Sequence, residues 1–240
     1  MNQAPLTALR DAFLNCRDLD ASLAERLETY SRAVRELLPS YADAVEQLVS
    51  HLNVIGAGSN APQTGEPMPP FVLPDQEGRL VSLANVLERG PAAITFHRGH
   101  WCPWCRINAN TLASVQDEIT EAGGQVVAIM PDRQRFAAEF KREAASPFMV
   151  LTDLDNGYAL LLNLAIWVGP DLERMLTSYE RRLPDYQGND SWTLPIPATF
   201  VVDQEGIVRT RFVDPDFRRR MTIDDLIGAL CVARGQPAGG

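Results

Sequence analysis

The sequence predicts an α/β protein: a central mixed β-sheet flanked by helices, preceded by a helical extension. Three observations predict it. From residue 71 onward, short apolar runs of strand length alternate with segments of helical period. A hairpin followed by a helix closes the chain, and the first 55 residues carry helical periodicity alone. Hydrophobic residues make up 45% and charged residues 22% of the 240, which supports a packed core and argues against extended disorder.

The extension covers residues 1–55. Leu23, Leu27, Tyr30, Val34, Leu37, Tyr41, Val45, Leu48 and Leu52 lie three or four apart, the spacing of one helical face. Pro39-Ser40 interrupts the stripe, so two consecutive helices are expected, with Ser40 as a cap. A short earlier helix holds Leu6, Leu9 and Phe13. The stripe reads as the face that docks on the main domain; a subunit interface is the alternative. Residues 56–66 (GAGSNAPQTGE) form a linker by composition, and residues 67–240 form the main domain.

Within that domain Phe71–Leu73 is a short strand, 75–78 (DQEG) a turn, Leu80–Leu83 extended and Ala84–Glu88 a short helix. Ala92–Phe96 is a buried strand, and Arg106–Ala122 a helix stopped by Gly123-Gly124. Gln125–Met130 is a second buried strand, Arg133–Ala144 a helix, Phe148–Leu151 a strand and Gly157–Leu164 a helix. Residues 170–194 read as irregular, a substrate-facing loop by length. Ala198–Val202 and Val208–Val213 flank a DQEG turn as a hairpin, and Ile223–Ala233 is the last helix.

The formal charge of −9 and a pI near 4.9 argue against nucleic acid or anionic lipid as partner, since phosphate binding needs a positive surface. The longest apolar run, Ala159–Gly169, contains Asn163 and ends at Pro170, so it reads as a buried helix rather than a membrane span. No basic-then-apolar leader opens the chain, and the expected location is cytoplasmic. In that compartment a Cys-x-x-Cys pair is catalytic or metal-binding more often than a permanent cross-link.

The chemistry centres on Trp101-Cys102-Pro103-Trp104-Cys105, where a buried strand passes through Arg98-Gly99 into a helix. A thiol at a helix N-terminus meets unpaired backbone N–H groups and the positive end of the macrodipole, both of which favour the thiolate. The second cysteine, one turn later, can close an intramolecular disulfide. Pro103 suits the first turn because its missing N–H would be unpaired there. His97, Arg98 and His100 add groups able to lower a thiol pKa. Far along the chain, Pro197 directly precedes a strand and is a candidate cis peptide. A zinc site on His97, His100, Cys102 and Cys105 is the lesser reading, because structural zinc draws ligand pairs from separate elements. Cys16 and Cys231 read as buried structural cysteines, and His51 as a surface residue.

From about Pro67 to Ala233 the chain resembles the peroxiredoxin-like branch of the alkyl hydroperoxide reductase/thiol-specific antioxidant (AhpC/TSA) family. The matching segments are FVLPDQEGRLVSLANVL, FHRGHWCPWC, GGQVVAIMPD, PFMVLTDLDNGYA and LPIPATFVVDQEGIVR. The resemblance implies a thioredoxin-like fold and a Cys102–Cys105 dithiol/disulfide cycle that reduces hydroperoxides, with no bound cofactor or metal. A thioredoxin- or glutaredoxin-type dithiol would regenerate it. The family pattern Pro-x-x-x-Thr/Ser-x-x-Cys places Arg98 at its proline, Cys102 at its Thr/Ser and Cys105 at its peroxide-reacting cysteine. The family's later arginine falls at about Pro197, leaving Arg98 and Arg211 as stand-ins. Trp101, Pro103, Trp104, Pro197 and Arg98 are thus the expected supporting residues. Two alternatives stay open: a thioredoxin-like disulfide oxidoreductase, whose first nucleophile would be an exposed Cys102, and a redox-sensing or zinc-binding interaction module. A homodimer through the sheet or the N-terminal helices is a further expectation.

Overall fold

Apolar strands alternating with amphipathic helices bury both faces of a sheet only when helices cover both sides. That is the arrangement in the computed structural model, which describes residues 4–235. The extension supplies α1 (Ala4–Arg17), α2 (Leu23–Leu37) and α3 (Pro39–Val54). There follow β1 (Val72–Pro74), β2 (Leu80–Ser82), α4 (Leu83–Leu87), β3 (Ala92–Phe96), α5 (Pro103–Ser114) and α6 (Gln116–Glu121). Next come β4 (Gln125–Met130), α7 (Gln134–Glu143), β5 (Met149–Thr152), α8 (Gly157–Leu161), β6 (Ala165–Trp167) and α9 (Gly169–Ser178). The chain continues with α10 (Leu183–Gln187), β7 (Thr193–Pro195), β8 (Ala198–Val202), β9 (Val208–Val213) and α11 (Ile223–Arg234).

The main sheet runs β5-β4-β3-β8-β9. Its β3–β4 and β4–β5 pairs are parallel, whereas β3–β8 and β8–β9 are antiparallel. Alternation along β3 divides the core: Ala93 faces the side covered by α1–α3, α5, α7 and α11, while Ala92, Ile94 and Phe96 face α4 and α8.

The stripe of the extension faces the main domain. Leu23, Leu27, Tyr30 and Val34 of α2 are buried in the same cluster as Trp104, Ile107 and Leu112 of α5. A Ser22–Glu25 capping box starts α2. Residues 58–62 are held by Arg211, whose guanidinium donates to the carbonyls of Gly58, Ala61 and Pro62.

Several elements differ from the sequence reading. The helix after the cysteines begins at Pro103 and divides at Val115, where ψ rises to 20°. Ala159–Gly169 is not one buried helix. After α8 the chain turns into β6, which pairs with β7, and Leu160, Leu161 and Trp167 are exposed. Residues 170–194 are ordered as α9, α10 and β7: Pro170 and Pro184 each occupy a first turn, and Leu172, Leu176 and Leu183 are buried. No cis peptide occurs among the described residues, so Pro197 is trans. Cys16 is buried, but Cys231 is exposed. Leu226, Ala229, Leu230 and Ala233 form the inward face of α11, which turns Cys231 outward.

Candidate active site: a buried dithiol at a helix N-terminus

β3 ends at Phe96, and His97 extends it by donating its backbone N–H to Ile129 O. Gly99 then turns the chain at φ 143°, a region that disfavours side chains. A Cβ there would lie 2.5 Å from Trp101 Nε1 and 2.7 Å from Asp132 Oδ1, so the close approach also requires glycine. Cys102 is the N-cap of α5 and Pro103 its first residue, which places Cys105 in the first turn.

Both thiols are fully buried, which corrects the expectation of an exposed Cys102. Trp101 and Trp104 flank it, each 4% exposed. Trp104 Nε1 donates to Ser31 Oγ at 2.9 Å, and its rings meet Tyr30 and Phe217 edge-on at 4.9 and 5.3 Å. The cover over Cys102 therefore comes partly from the extension.

Hydrogen-bond donors converge on Cys105. Its Sγ accepts the backbone N–H of Arg98 at 3.3 Å and Nη2 of Arg220 at 3.4 Å. Burial pushes the Cys105 thiol up, but hydrogen bonds from Cys102 and His97 and the Arg220 charge hold it well below the ordinary thiol range. Cys102 moves the other way, raised by burial and by its hydrogen bond to Cys105. The surroundings therefore favour negative charge on Cys105 over Cys102.

Arg98 acts through backbone and charge together. Its guanidinium lies over Phe217 at 3.7 Å and Trp101 at 5.0 Å, and its charge partly offsets the rise at Cys102. Arg211 is no stand-in for the family arginine, because it is held at residues 58–62. The guanidinium at the sulfur is Arg220, which sequence reasoning missed. Pro197 is buried two residues before Thr199, the last β8 partner of β3, opposite Thr95. The ladder register carries it toward His97. Thr95 Oγ1 lies 3.0 Å from His97 Nε2. Among the described residues no group of three or more His, Cys, Asp or Glu side chains is arranged to hold a metal ion.

Asp132, fully buried after β4, accepts the His100 N–H at 2.7 Å. Burial, opposed by that bond and reinforced by the Cys105 charge, pushes its carboxyl up to about 8. Since this folded-state value exceeds the usual carboxylate value, the fold holds a proton that the unfolded chain releases. The resulting stability contribution is complete below about pH 4 and is lost as pH rises through about 8. Urea titrations at pH 5 and pH 8 check this. Relative to wild type, Asp132→Asn should gain about 1–3 kcal/mol between the two. A pH-independent difference would show Asp132 already ionised in the fold.

A central sheet of this order, with a Cys-x-x-Cys pair where β3 enters α5, defines the class of thioredoxin-fold thiol oxidoreductases. The chain belongs to the AhpC/TSA family, whose model matches residues 64–211. A chloroplastic peroxiredoxin Q of Sedum lineare is 28% identical over 166 residues, 69% of this chain and 76% of that one. A chloroplastic peroxiredoxin Q of Oryza sativa subsp. japonica is 33% identical over 92 residues, 38% of this chain and 42% of the relative. The crystal structure of peroxidoxin BcpB from Mycobacterium tuberculosis superposes with a TM-score of 0.56 at 21% identity, covering 72% of this chain and 99% of the other. That likeness bears on the fold alone. α1–α3 lie outside the matched family region.

Proposed function

We propose that the protein is a hydroperoxide reductase in which Cys105 is the peroxide-reacting thiolate and Cys102 the resolving thiol. The observation that carries this reading is the pair of N–H donors on Cys105 Sγ, one of them the Arg220 guanidinium. The thiolate attacks one peroxide oxygen and the O–O bond breaks. The other oxygen leaves as an alcohol or water after taking a proton, and Cys105 becomes a sulfenic acid. The Cys102 thiol then attacks that sulfur, releasing water and closing a disulfide. An external dithiol of thioredoxin or glutaredoxin type returns the two electrons and two protons. The relatives named as peroxiredoxins support the oxidant.

A stopped-flow comparison of the reduced protein against hydrogen peroxide and against a protein disulfide tests it. Peroxide is expected to react far faster. Oxidation no faster than that of a free thiol at the same pH would sink the peroxidase reading. Disulfide exchange is the second reading, favoured by the Trp-Cys-Pro-Trp-Cys block and by buried Pro197 at the head of β8.

A further inference from the structure

A cavity of about 570 Å³ opens between the extension, the cysteine loop and α9, within the roughly 300–1,000 Å³ range of small-molecule sites. Six of its lining side chains are aromatic: Phe13, Tyr30, Tyr41, Trp101, Trp104 and Tyr179. The Tyr30–Trp104 and Tyr41–Tyr179 pairs stand edge to face, so ring faces and edges both form wall.

Two polar groups in this wall have no partner within the described chain. Tyr30 and Tyr41 are only 4% and 7% exposed, yet among the described residues neither hydroxyl makes a hydrogen bond. Both hydroxyl oxygens keep some exposure and so open onto the cavity rather than into the packed core. Burial pushes both phenols up, with the Arg181 charge a smaller effect in the opposite direction, and all three side chains line the cavity. Arg181 itself makes no ion pair among the described residues. Arg106, also in the wall, is already paired with Glu143 at 2.6 Å. Two hydroxyl donors and an exposed guanidinium without an ion pair thus line one ring-walled space. The charged lining is three arginines, Arg10, Arg106 and Arg181, against Glu180.

We propose that this cavity binds an aromatic carboxylate, with its rings packed on Phe13, Trp101, Trp104 and Tyr179 and its carboxylate held by Tyr30, Tyr41 and Arg181. Carboxylate oxygens accept from both phenols and from a guanidinium, and they neutralise the excess positive lining. Phe13, Tyr30 and Tyr41 lie outside the matched family region, so the site belongs to this chain's extension. It stands apart from the choice of oxidant, although its occupant rests against the residues on either side of Cys102.

Calorimetric titration of the full reduced chain with 2-naphthoate tests the assignment, with 2-naphthalenemethanol and decanoate as separate arms. Saturable 1:1 binding with a dissociation constant below about 1 mM is expected for 2-naphthoate. Arg181→Ala and Tyr41→Phe should each weaken it about tenfold or more. Arg181 is exposed and Tyr41→Phe retains the ring, so both variants should keep the wild-type circular dichroism. The uncharged alcohol and decanoate should bind at least about tenfold more weakly. No saturable binding of 2-naphthoate, equal binding by either analogue, or affinity untouched in both variants would overturn the proposal.

Discussion

Cys105→Ser is expected to abolish peroxide reduction, while Cys102→Ser should complete one turnover and stop at a sulfenic acid on Cys105. The two thiols are one helical turn apart and equally buried, so position alone does not rank them. Their electrostatics do. Arg98 N–H, Arg220 and the Cys102 thiol all stabilise negative charge on Cys105, whereas that charge in turn keeps the proton on Cys102. A free thiol is only a few per cent ionised at pH 7, so a thiolate stabilised by these donors gains at least about tenfold in reactive population. Dimedone trapping with mass spectrometry after one equivalent of peroxide reads the result directly. Label on Cys102 in the Cys105→Ser protein, with peroxide consumption retained, would reverse the roles.

The second large effect is expected at Arg220. Replacing it with Met should lower the rate of peroxide reaction by roughly 10–100-fold, below the full range seen for buried oxyanion donors because Arg220 is half-buried. The same change should move the Cys105 ionisation upward, since the guanidinium charge is one of the causes holding it down. Thiolate absorbance against pH measures that shift, and Arg220→Lys should recover part of it. A slower reaction with an unmoved ionisation would assign Arg220 to holding the loop through its bonds to Phe217 O and Arg219 O instead.

The main sheet was legible because β3, β4 and β8 are continuous apolar runs bounded by turn residues, and such runs have few alternatives. The cysteine motif was legible from its place between strand and helix. Ala159–Gly169 was not, since an apolar run without a clear period suits a strand as well as a helix. Residues 170–194 show no long apolar period and so read as an irregular loop, although Pro170 and Pro184 each stand in the first turn of a short helix. Arg220 left no local trace: it lies 115 residues from Cys105 and meets it only through the path of the chain after β9. The burial of Cys102 was equally hidden, because part of its cover belongs to α2, a segment the family pattern omits.

The bond from Trp104 Nε1 to Ser31 Oγ has a thermodynamic consequence. It ties the redox loop to a helix whose buried face belongs to the same core cluster as α5. Extension and catalytic helix therefore share one cooperative unfolding unit, and amides in α2 and in the first turn of α5 are set to exchange with solvent together. A chain shortened to the family region would leave Trp104, Ile107 and Leu112 without their α2 partners. Its loss of activity would then report global instability and say nothing about chemistry.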